Sequence, residues 1–141
     1  MDMIGRVIMV TGAGSGLGAA VACMAVAGGA TAIILDVNER AGEAMAAELG
    51  PNAVFHRCDV TDAPAAEAAI AAVLRKFGRL DAAVNCAGIA PGERILGRDG
   101  AHRLESFRRT VEINLIRTFN MLRLSAEAMH KMRRGQMVSA A

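Results

Sequence analysis

Apolar residues fall into two alternating patterns along this chain. Short unbroken apolar runs at 7–10, 32–35, 53–57 and 82–85 read as strands, with a short fifth at 137–139. Between them, apolar residues recur every three or four positions, which predicts helices over 17–27, 38–49, 64–77 and roughly 104–131. Gly28-Gly29, Gly50-Pro51 and Gly78 stand where the first three helices should stop. The last helix carries Leu104, Phe107, Val111, Leu115, Phe119 and Leu122 at helical spacing, giving it one apolar face. Strands alternating with helices of this length imply right-handed βαβ units and an α/β fold, a doubly wound, mostly parallel sheet. No linker or repeat interrupts the pattern, so residues 1–141 are expected to form one domain.

The junction after the first strand carries the clearest chemistry. Thr11-Gly12-Ala13-Gly14-Ser15-Gly16-Leu17-Gly18 joins a buried strand to a helix start. Glycines let the backbone turn tightly and approach an anion. The first amides of a helix have no partner within it and sit at the positive end of its dipole. Such a turn suits the pyrophosphate of a dinucleotide, and Gly14-x-Gly16-x-x-Ala19 meets the general spacing for one. The second apolar run ends in Asp36, a carboxylate able to accept from adenosine ribose hydroxyls and to repel a 2′-phosphate. No basic residue stands at Ser15 or Val37, so the cofactor reads as NAD rather than NADP. Asp36 also suits a cap for the following helix, and the two roles can coexist.

Thr11-Gly12-x-x-x-Gly16-x-Gly18 resembles the cofactor turn of the short-chain dehydrogenase/reductase family, and further matches follow in the family's order. The resemblance implies a Rossmann-type sheet, here cut short after about five strands, with Thr11, Gly12, Ser15, Gly16, Leu17, Gly18 and Asp36 on the cofactor. Asp59-Val60 is similar to the family's adenine-contacting pair, the carboxylate taking the exocyclic amine and the next amide a ring nitrogen. Read alone, Asp59 or Asp62 is a cap for the next helix. Asn85-Cys86-Ala87-Gly88 resembles the family's Asn-Asn-Ala-Gly motif with a cysteine in second place, implying that Asn85 ties strands together while Ala87 and Gly88 keep bulk off the cofactor. Asn114, inside Ile113-Asn114-Leu115, looks like the family's catalytic Asn, which holds a water in a proton relay; read alone it is a buried Asn tying helix to sheet. Arg117 departs from the small residue usual there and is expected to crowd the helix packing. The long connection 89–101 resembles the type-2 3-hydroxyacyl-CoA dehydrogenase branch, which implies an alcohol, ketone or acyl-CoA thioester as small-molecule substrate, and homo-oligomers among full-length relatives.

Composition narrows the alternatives. With 16 basic and 14 acidic residues mixed along the chain, no nucleic-acid surface is indicated. Arg108-Arg109 and Arg133-Arg134 read as solvated helix faces. The three cysteines, Cys23, Cys58 and Cys86, are odd in number and lack a CxxC pair, so they read as small core residues rather than a disulfide or metal framework. No apolar run approaches a membrane span, and the first strand begins too early for a signal peptide, which makes cytoplasmic residence the expectation. Family catalysis needs a Tyr general base with a Lys four residues later and a Ser that orients the substrate. This chain has no tyrosine, and Lys76 and Lys131 precede the place where that pair would stand. Ser139 falls short of the family's Ser. These residues alone are therefore expected to bind cofactor weakly or not at all and to turn over little, as the nucleotide-binding part of an oxidoreductase, a non-catalytic nucleotide-binding module, or a fragment without function. A fifth strand at a bare sheet edge and an uncovered helix face would make the fold marginal or aggregation-prone.

Overall fold

The computed structural model describes residues 2–98 and 100–139, with side chains through Met132. Four parallel strands, β1 (Val7–Thr11), β2 (Thr31–Asp36), β3 (Ala53–Arg57) and β4 (Ala82–Asn85), form a sheet in the order β3-β2-β1-β4. The α/β architecture expected from the sequence is thus present. In register, Thr11 lies between Leu35 and Asn85, so the strands end along one rim. The strand order reverses between β1 and β4, and the crevice at such a reversal is where open α/β sheets bind ligands.

Alternation along the strands builds two cores. Val7, Met9, Ile33 and Leu35 face one side, packing against Ala66, Ile70 and Val73 of α3 (Ala63–Phe77) and Met121, Leu124 and Ala128 of α5 (Thr118–Ser139). Ile8, Val10 and Ile34 face the other, against Ala22 and Ala25 of α1 (Gly16–Ala27) and Met45 of α2 (Glu39–Leu49). Met9, Val10, Ile33 and Ile34 are wholly inaccessible, and each such side chain contributes about 1.5–3 kcal/mol. Small residues bring helix to sheet: a Cβ on Gly42 of α2 would overlap the Phe55 ring of β3. Gly28, Gly50 and Gly78 end α1, α2 and α3 as expected, and Asp62 caps α3 by accepting from the Ala65 amide at 3.2 Å. Asn38, rather than Asp36, caps α2 with a bond from the Ala41 amide at 3.1 Å.

The second half departs from expectation in four places. The single helix expected over 104–131 is α4 (Leu104–Val111), a π-helical segment Glu112–Arg117, and α5. The bounds of α5 reach Ser139, so no fifth strand forms at 137–139; the one breaker nearby, Gly135, costs about 1 kcal/mol in a helix, too little to end it. Within 89–101, Leu96–Gly97 (β5) and Gly100–Ala101 (β6) pair as a small antiparallel hairpin. The apolar stripe of the last helix does not face the sheet: Leu115 and Phe119 are 65% and 62% exposed, while Met121, Leu124 and Ala128 take the core position. The side chains of Arg133, Arg134 and Ser139 lie outside those described.

Candidate functional site

The turn after β1 is shaped by close approaches. Gly12 has φ +65°, and a Cβ on it would come within 2.8 Å of the Ala87 backbone. A Cβ on Gly18 would overlap the Gly12 carbonyl oxygen, so α1 can start against β1 only with glycine there. Ser15 is the extended residue before α1, and its hydroxyl makes no capping bond. The first-turn amides therefore keep no side-chain acceptor, and an anion fits where one would sit. Leu17 is exposed beside them. Thr11, in contrast, is buried: its Oγ1 accepts from the amides of Cys86 and Ala87 at 3.1 and 3.2 Å, tying the turn to the end of β4.

Asp36 closes the turn from the other side. Its Oδ2 accepts from the Gly14 amide at 2.8 Å and its Oδ1 from the Asn38 amide at 2.9 Å. The carboxylate thus holds the loop in shape while standing at the end of β2. Asp59 accepts from the Thr61 amide at 2.8 Å. Bonds from Thr61 hold its carboxyl below the usual carboxylate range against the opposing cost of burial, and Arg117 and Arg57 add to the lowering.

The end of β4 is bridged to the π-helical segment. Asn114 donates from Nδ2 to the Ile89 carbonyl at 2.7 Å and accepts at Oδ1 from the Ile89 amide at 2.9 Å. The wider π turn carries Asn114 to that backbone, the kind of local departure often found at functional sites. Asn85 does not make the expected tie through its carbonyl: Oδ1 is buried with no partner among the described residues.

These elements enclose a cavity of about 840 Å³. Gly12, Ser15, Gly16, Leu17, Gly18, Asp36, Asp59, Val60, Ala87 and Gly88 all line it; Thr11, Asn85 and Asn114 do not, and Asn114 is exposed rather than the buried Asn that the sequence read alone suggests. Cys58 and Cys86 also line it, so neither is only a core residue; burial, with Asp59 and Asp62 beside it, pushes the Cys58 thiol up to about 11. Arg109, Glu112, Ile113 and Arg117 form the far wall. None of these four was expected at the site. The spacing of four from Arg109 through Ile113 to Arg117 was the available signal for those three, since it puts them on one face of a regular helix.

Residues 6–141 match the family model described as short chain dehydrogenase. The chain belongs to the short-chain dehydrogenase family. Among its relatives are the 3-hydroxyacyl-CoA dehydrogenase type-2 proteins of Bos taurus and Homo sapiens, each 46% identical over 127 residues, covering 89% of this chain and 49% of the relative. A D-threitol dehydrogenase of Mycolicibacterium smegmatis is 39% identical, covering 97% of this chain and 52% of its own. The chain spans about half the length of the curated relatives it matches. In this family member, the glycine turn, Asp36 and Asp59 all line the same cavity. No helix among the described residues is long and apolar enough to cross a membrane.

Proposed function

We propose that residues 1–141 are the nucleotide-binding part of an NAD-dependent oxidoreductase acting on a secondary alcohol or its ketone, with a 3-hydroxyacyl-CoA thioester as the favoured substrate class. The observation that carries the reading is Asp36, a carboxylate at the end of β2 beside the open N-terminus of α1. The α1 amides and Ser15 hold the pyrophosphate. Asp36 accepts from the adenosine ribose hydroxyls and disfavours a 2′-phosphate, which selects NAD. Asp59 takes the adenine amine, with the Val60 amide on the neighbouring ring nitrogen. Ala87 and Gly88 leave room for the remainder of the dinucleotide, which supplies the hydride acceptor when bound. The names of the relatives support the substrate class.

The tyrosine that takes the alcohol's proton in the family is absent from these residues. A secondary alcohol does not release hydride readily unless a base takes its proton, and loss of a general base costs about 10²–10⁴ in rate. The chain holds no tyrosine, and both Asn114 side-chain polar atoms are engaged by Ile89. The 141-residue chain is therefore a binder with little turnover, and non-catalytic nucleotide binding is the second reading that the missing tyrosine favours. Titration with NADH and NADPH, followed by nicotinamide fluorescence, tests the assignment: saturable NADH binding with weaker NADPH supports it. Equal affinity for the two removes the role of Asp36, and no binding of either removes the nucleotide reading. Rapid alcohol oxidation by the same chain would overturn the inactivity.

A further inference from the structure

Arg117 is one of the far-wall residues that the nucleotide reading leaves without a task, although it lines the cavity with Asp59. Its side chain is 23% exposed, and Nη2 lies 2.5 Å from Glu112 Oε1 in an ion pair. Glu112 therefore holds one edge of the planar guanidinium. Nε is buried with no acceptor among the described residues, so a ligand in the cavity would be met by the outer nitrogens of the guanidinium. The positive charge stands near enough to Asp59 to help keep its carboxyl ionised.

An adenine ring presents a donor, the N6 amine, flanked by two acceptors, N1 and N7. In the proposed binding mode, Asp59 accepts from the amine and the Val60 amide meets N1. The acceptor left over is N7, on the other side of the amine. We propose that Arg117 is a base-positioning residue whose guanidinium donates to adenine N7, so that Asp59 and Arg117 together read the amine and its neighbouring acceptor. Glu112 orients the guanidinium for this. A 6-oxopurine keeps N7 but turns an oxygen toward Asp59, so the pair favours adenine. The inference rests on the nucleotide reading above and adds to it a residue on the far wall.

Replacing N7 by carbon tests it without touching the protein. The probes are ADP and 7-deaza-ADP, titrated calorimetrically into the 141-residue chain. A lost bond to a charged donor predicts that 7-deaza-ADP binds about tenfold more weakly than ADP. In Arg117→Met, which keeps the apolar stem and removes every donor, the two ligands should agree within about twofold. Arg117→Lys, which restores a donor without the planar fork, should recover part of the gap, a result that a merely structural role would not give. Circular dichroism melting checks that the variants fold, and the comparison in the unaltered chain stands even where they do not. Equal binding of ADP and 7-deaza-ADP by the unaltered chain, or an undiminished gap in Arg117→Met, overturns the inference while leaving the nucleotide reading intact. Failure of the unaltered chain to bind either ADP or NADH overturns both.

Discussion

One carboxylate holds the cradle in shape. Asp36 uses both oxygens on backbone amides, Gly14 at 2.8 Å and Asn38 at 2.9 Å. In Asp36→Asn one of those oxygens becomes an amide donor facing an N–H. Loss of one charge-assisted bond, with a donor left facing a donor, should destabilise the fold by about 1–3 kcal/mol, read as a lower midpoint in urea. The same variant should bind NADH less tightly and discriminate less against NADPH, since the negative charge is gone. Gly18 offers a second measure of how closely the turn is packed. Its Cβ direction is filled by the Gly12 carbonyl oxygen, so Gly18→Ala has to push α1 away from β1. Overpacking of this kind costs about 1–3 kcal/mol, and thermal melting should show it. A melting temperature unchanged within error would mean that the turn is looser than its geometry implies.

At the scale of elements, the bond pair between Asn114 and Ile89 joins the π-helical segment to the end of β4. Asn114→Ala removes both bonds, leaving the Ile89 amide and carbonyl to seek water. A loss of about 1–3 kcal/mol is expected, with faster hydrogen exchange at Ile89 as the local readout. Asn114→Asp should be worse at neutral pH, because a carboxylate oxygen then faces the Ile89 carbonyl. The π turn itself was not legible in the sequence. It adds one residue to a turn and leaves the apolar spacing on either side nearly unchanged, so 104–131 reads as one helix. The four strands were legible because buried parallel strands are written as unbroken apolar runs, as in Val7–Thr11. The orientation of the last helix was not, because it has two apolar faces. Leu115 and Phe119 face out, and the set with Met121, Leu124 and Ala128 packs on the sheet. Asp62 was legible as a cap because it precedes a proline-started helix, whereas Arg117 was read as crowding when its side chain instead lines the cavity with Asp59.

For the whole molecule, the two ends of the sheet respond to acid in the same direction. At the end opposite the cavity, Asp81 gathers β1 and the approach to β4: Oδ2 accepts from the Val7 amide at 2.8 Å, while Arg79 and Arg6 bond the carboxylate at 2.5 and 3.2 Å. Burial raises its carboxyl, but the bonds from Arg79, Val7 and Arg6 outweigh this and leave it below the ordinary 3.8. At the cavity end, the bonds from Thr61 lower Asp59 below 3.8 as well. A carboxyl lowered on folding binds protons more tightly in the unfolded chain. Its stabilisation is therefore complete above the unfolded value of about 3.9 and is lost as pH falls through the folded value. Urea midpoints should stay flat with respect to these two groups from neutral pH to about pH 5 and fall steeply below about pH 4. Asp81→Asn should be less stable than the unaltered chain at pH 7, and the difference should shrink as both are brought below the folded value, where the native carboxyl is also protonated. A difference that stayed constant down to pH 2 would mean that Asp81 acts through shape rather than charge. The acid loss would then have to be traced to Asp59 and the cavity rim.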